Sequence, residues 1–115
     1  MSTPEFESKM KRIIKQSQQL YIVDAAQRIE NVLQALEAWK AGASETAAAV
    51  QSIHMQVHAM KGVALTIHFE PMHHICEAII FLLEQQNLQE AEPLLRQLPD
   101  RLKSCQAIMG EEVDN

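Results

Sequence analysis

His58, Lys61 and Gly62 stand in the run His-Ala-Met-Lys-Gly, inside a stretch whose apolar residues recur at helical spacing. An unperturbed imidazole titrates around pH ~6.5, so a histidine at neutral pH carries a free nucleophilic nitrogen. On a helix, a lysine three residues further on lies about one turn away on the same side. Its ammonium can pair with an anion built on the ring. The next residue, glycine, has no side chain to crowd that anion or an approaching macromolecule. The chemistry this trio suits is the temporary carriage of a phosphoryl group on nitrogen.

Such a ring must be presented outward, and the helix carrying it decides that. The segment after Ser44, a suitable N-cap, has its apolar seam at Val50, Ile53, Val57, Met60 and Ala64. At about 100° per residue, His58 falls roughly 130° from the centre of that seam. Gln51, His54 and Lys61 lie on nearly the same outward line. A histidine serving the core would sit on the seam.

Four further helical segments are predicted. The first starts near Thr3, with Ser2 and Glu5 as a capping box and Pro4 in the first turn. Phe6, Met10, Ile13 and Ile14 share one of its faces. The second spans Leu20 to Lys40 with a seam at Ile22, Ala26, Ile29, Leu33 and Leu36, and Gly42 as its stop. Another lies between Phe69 and Gln86, with Pro71 in its first turn and Met72, Ile75, Cys76, Ile79, Leu82 and Leu83 inward. The last covers Leu88 to Met109, kinked or split at Pro93 and Pro99. The tail from Glu111 to Asn115 is expected to be loose.

Short connections between long amphipathic helices make neighbours antiparallel. The expected fold is therefore all-α: an up-down-up-down four-helix bundle with a short N-terminal capping helix, forming one domain over residues 1–115.

Composition agrees. Hydrophobic residues make up 47% of the chain and aromatics only 4%, which favours a helical core of Leu, Ile, Ala and Met over a sheet. A net charge of −5 argues against a nucleic-acid surface. Lys9, Lys11, Arg12 and Lys15 are a local exception, read as a solvated face or as a docking patch for an acidic partner. No apolar run reaches the length of a membrane span. The start of the chain reads as a polar helix start rather than a secretory signal, so Cys76 and Cys105 are expected as buried free thiols in a soluble cytoplasmic protein. The absence of a glycine-rich phosphate loop predicts no nucleotide cofactor.

His58, Lys61 and Gly62, with the helical pattern around them, resemble the phosphorylation motif of histidine-containing phosphotransfer (HPt) domains. The resemblance covers about residues 20 to 86, and more loosely the whole chain. It implies an antiparallel four-helix bundle in which His58 accepts the phosphoryl group, Lys61 assists it and Gly62 leaves room for the partner. It also implies a polar residue on the facing helix that orients the histidine ring. Glu77 is assigned to that role, although Ile80 stands where the family often has the polar group. A second family glycine, six residues after Gly62, is replaced here by His68. The implied partners are response-regulator receiver domains, a hybrid histidine kinase, or both. The protein itself would be a monomer without kinase activity, with Mg²⁺ residing in the receiver.

Two other readings start from the same residues. His54 and His58 have the i, i+4 spacing of a ligand pair, with His73, His74 and Glu77 on the next helix, which suggests a metal-binding bundle. A non-catalytic helical adaptor, with His58 incidental, is the other. A serine or cysteine hydrolase has less support, because no nucleophile sits in a recognisable turn motif. The phosphoryl-carrier reading calls for no metal ligands in this chain.

Overall fold

The computed structural model describes residues 3–113 of the 115-residue chain. Five helices follow one another: α1 (Pro4–Lys40), α2 (Thr46–Ala64), α3 (Glu70–Glu84), α4 (Leu88–Leu95) and α5 (Leu98–Val113). α1 packs on α2 and α5, and α3 packs on α2 and α5. The short α4 bridges α3 and α1. α4 and α5 together make the fourth side of the bundle. The expected helical bundle is thus present, with Leu36, Ile53, Met60, Ile79, Leu83 and Leu95 in its centre.

One boundary differs. No separate capping helix forms, and the first two predicted segments are one helix of 37 residues. The polar run Gln16-Ser17-Gln18-Gln19 between the two seams contains no glycine or proline, so nothing in the backbone stops the helix there. Its third residue is also not solvated. Gln18 is fully buried, and its Nε2 donates 2.8 Å to the Ile67 carbonyl in the α2–α3 connection. A second polar tie follows one turn on, where the Tyr21 hydroxyl donates to the Met60 carbonyl. Burial pushes the Tyr21 phenol well above its usual range, so it remains a donor. These bonds set the antiparallel register of α1 and α2. Residues before Gln18 therefore run past the end of the bundle, and all of 3–17 except Ile14 and Ser17 are exposed.

The caps show where local chemistry decided. Thr3 caps α1, its Oγ1 accepting from the Phe6 amide at 3.1 Å, with Pro4 in the first position. Ser2, the expected cap, lies outside the described residues. α1 stops in a Schellman motif. The Ala43 amide donates to the Ala38 carbonyl and the Gly42 amide to the Trp39 carbonyl, with Gly42 at φ +77°. α2 is preceded by Glu45 rather than Ser44, and no side chain caps it. The split expected near the prolines falls at Arg96–Gln97, ahead of Pro99, which sits in the first turn of α5. α5 continues to Val113, through the first part of the tail expected to be loose, whereas Asp114 and Asn115 lie outside the described residues.

The end of α2 repeats the Schellman pattern without glycine. The Phe69 amide donates to the Ala64 carbonyl and the His68 amide to the Leu65 carbonyl, and His68 takes φ +68°. This is the position where the resemblance places a glycine. A left-handed residue with a Cβ costs on the order of 1–2 kcal/mol. His68→Gly is expected to raise stability by about 1 kcal/mol, or some 4 °C in melting temperature for a domain of this size. Calorimetry checks this, and an unchanged or lower melting point removes the strain argument.

Cys76 and Cys105 are free and buried. Loss of solvation pushes the Cys76 thiol up to about 12 and the Cys105 thiol up to about 11, so both stay protonated and behave as small apolar side chains.

Candidate functional site

The register that fixes the bundle also fixes what surrounds His58. α2 turns Ile53, Val57, Met60 and Ala64 into the core and leaves His58 exposed on its flank. Among the described residues, the His58 ring makes no hydrogen bond to a protein group. Its recorded neighbour is His54, one turn earlier. The two rings stack with centroids 5.9 Å apart and planes inclined by 20°.

Lys61 lies one turn beyond His58. Its side chain is one-third exposed, and its Nζ stands 3.8 Å from Glu77 Oε2 on α3. The same carboxylate oxygen is 3.6 Å from His73 Nε2. The pairs are loose and the carboxylate is largely exposed, so they hold Lys61 only weakly. The ammonium can leave Glu77 for a stronger anion built on the His58 ring. His73 itself is mostly covered, and its Nδ1 is buried without a hydrogen-bond partner.

Gly62 is open. A Cβ built on it would meet nothing within 4 Å. The fold therefore does not require glycine at this position, although glycine inside a helix costs roughly 0.5–1 kcal/mol relative to alanine. The bare patch beside His58 is usable only by something that comes to the surface from outside.

The structure thus brings His58, Lys61 and Gly62 onto one face and places Glu77 beside Lys61. It does not bring Glu77 to the His58 ring. Because α2 and α3 are antiparallel and Lys61 faces Glu77, stepping one turn back on α2 to His58 steps about one turn forward on α3. That level is Ile80, which is buried at 8% exposure. The position at which the resemblance expects a polar group is thus apolar and covered here. His54, expected on the same outward line and as one of a pair of metal ligands, is the residue whose ring stacks with His58. Its i, i+4 spacing was the available signal. Among the described residues no group of three or more His, Cys, Asp or Glu side chains is arranged to hold a metal ion.

Lys9, Lys11, Arg12 and Lys15 are exposed on the part of α1 that overhangs the bundle. That overhang leaves the bundle at the end marked by the α2–α3 connection. From the ties of Gln18 to Ile67 and of Tyr21 to Met60, these residues lie roughly 12–27 Å from His58 along the helix axis.

Over residues 16–108 the chain matches the family model of the Hpt domain. The match begins where α1 enters the bundle, two residues before Gln18, and it contains the whole His58 face. The chain belongs to the Hpt domain family. Hpt domains serve phosphotransfer in two-component phosphorelays, where they interact with receiver domains and kinases. A search of curated proteins and a search of solved structures found no match. No helix among the described residues is long and apolar enough to cross a membrane.

Proposed function

We propose that His58 is the phosphoryl acceptor, taking the group from the aspartyl phosphate of one receiver domain and returning it to the aspartate of another. The observation that carries this is the exposed His58 ring, with Lys61 and the open patch at Gly62 on the same helix face. In the forward step the unprotonated ring nitrogen attacks phosphorus. The P–N bond forms as the P–O bond to the aspartate breaks, and the electron pair leaves with the carboxylate. The return step reverses this on the second receiver. In this reading the receiver brings the metal ion that neutralises the phosphoryl oxygens. The test is incubation with a phosphorylated receiver, followed by assay for acid-labile phosphate on the protein and its assignment to a peptide. Label on a peptide lacking His58 overturns the assignment.

Lys61 acts as the cation for the phosphoryl group. Its attraction is that of a partly exposed pair, on the order of 1 kcal/mol, and it is screened by salt. Lys61→Ala is expected to slow transfer or shorten the phosphohistidine lifetime several-fold rather than destroy activity, with a larger effect at low ionic strength. Equal rates and lifetimes at low salt take Lys61 out of the site.

The overhanging basic residues serve the encounter. Charges at the rim of an interface act chiefly on the association rate and its salt dependence. Lys11→Glu combined with Lys15→Glu is expected to slow binding to a receiver and to flatten its response to salt in stopped-flow measurements. The same rate and slope in the double variant mean that the overhang takes no electrostatic part.

A further inference from the structure

His58 needs its ring held in a fixed direction if its lone pair is to line up with phosphorus. Loss of that alignment slows a transfer step even when the partner binds normally. The facing helix does not supply the hold. By helical spacing from the Lys61–Glu77 pair, Ile80 is the α3 residue level with His58, and its side chain has no polar atom to offer; Glu77 pairs with Lys61 and His73 instead. Among the described residues no hydrogen bond fixes the ring. The ring paired with it is His54, partly buried on the preceding turn and itself flanked in sequence by the core residue Ile53. The two rings are nearly parallel, at 5.9 Å and 20°, within the range in which aromatic rings attract one another.

We infer that His54 is a positioning residue of the phosphotransfer site, its ring face serving as the platform against which the His58 ring is set. The inference rests on the reading of His58 as acceptor. It assigns the work to the aromatic face of His54 and not to its nitrogens, so a phenylalanine can replace it. Aromatic pairs of this kind contribute amounts equivalent to about a two- to tenfold change in an equilibrium or rate.

The experiment compares wild type, His54→Ala, His54→Phe and His58→Gln. Single-turnover transfer from a phosphorylated receiver gives the saturated rate and the half-saturating concentration. The NMR shifts of the His58 ring protons report the stack without any phosphotransfer. His54→Ala is expected to lower the saturated rate two- to tenfold at unchanged half-saturation and to move the His58 ring resonances. His54→Phe is expected to restore the rate and to keep the His58 protons ring-current shifted. A wild-type rate in His54→Ala overturns the inference. So does a His54→Phe protein as slow as His54→Ala, or a loss confined to half-saturation, which would make His54 a docking contact. Phosphate incorporated by His58→Gln overturns the acceptor assignment instead, and so separates the two failures.

Discussion

His58→Gln is expected to abolish phosphoryl incorporation while leaving helical content and melting temperature unchanged. Both halves follow from the same geometry. The ring is exposed and makes no hydrogen bond within the described chain, so the fold loses nothing but a loose stack on His54 when it is replaced. Surface substitutions of this sort fall within about 0.5 kcal/mol. Glutamine is similar in length and polar, but its amide nitrogen has no free lone pair for attack on phosphorus. Incorporation should therefore drop to background. Circular dichroism melting, together with acid-labile phosphate assays on His58→Gln, His54→Gln and His73→Gln, checks this. If His54→Gln or His73→Gln loses the label and His58→Gln keeps it, the acceptor is misassigned.

Gly62→Gln is expected to act in opposite directions on stability and on transfer. A side chain here meets nothing in the folded chain, and glutamine is a far better helix former than glycine. The variant should be more stable by about 0.5 kcal/mol, a gain of a few degrees in melting temperature. The same side chain would occupy the bare surface one turn from His58, where the proposed function has a receiver approach. Overfilling a close-packed contact costs about 1–3 kcal/mol, so transfer should fall by roughly tenfold or more, mostly in receiver affinity. Gly62→Ala should show the stability gain with a smaller loss. A Gly62→Gln protein that is both more stable and fully active would mean that no partner packs against this patch.

The face proposed to react can be read from the sequence because it is local. Five consecutive residues of one helix hold His58, Lys61 and Gly62, and the outward phase of His58 follows from counting seam positions on that helix alone. Likewise the core lines of α2 and α3 and the split ahead of Pro99 follow from periodicity and backbone chemistry. The expected seam of α1 is out of phase, with Tyr21, Ala25 and Val32 buried and Ala26 exposed, while the other failures are non-local or depend on a backbone state. The polar run at Gln16–Gln19 looks like a break, and only the Ile67 carbonyl waiting beside Gln18 shows why a buried amide belongs there. The partner of Glu77 depends on the slide of α3 against α2, which residue spacing within either helix does not contain. A turn of slide separates an orienting carboxylate from a counter-ion for Lys61. His68 looked like a missing glycine. The structure shows that the left-handed turn is made regardless, at the cost of setting a Cβ against the backbone.

The reach of α1 has a consequence for how the molecule behaves in solution. Its described residues measure 56 × 23 × 17 Å, with a radius of gyration of 16.2 Å. A rounded domain of this length would have about 13 Å. A rod with a thin protruding end drags more water than a sphere of the same mass, so its hydrodynamic radius is larger. On a gel-filtration column calibrated with spherical standards, one copy alone is expected to elute early, at the volume of a heavier protein. Elution position therefore overstates mass for this molecule, and only light scattering or sedimentation equilibrium, which weigh the particle, can distinguish an elongated single copy from a pair.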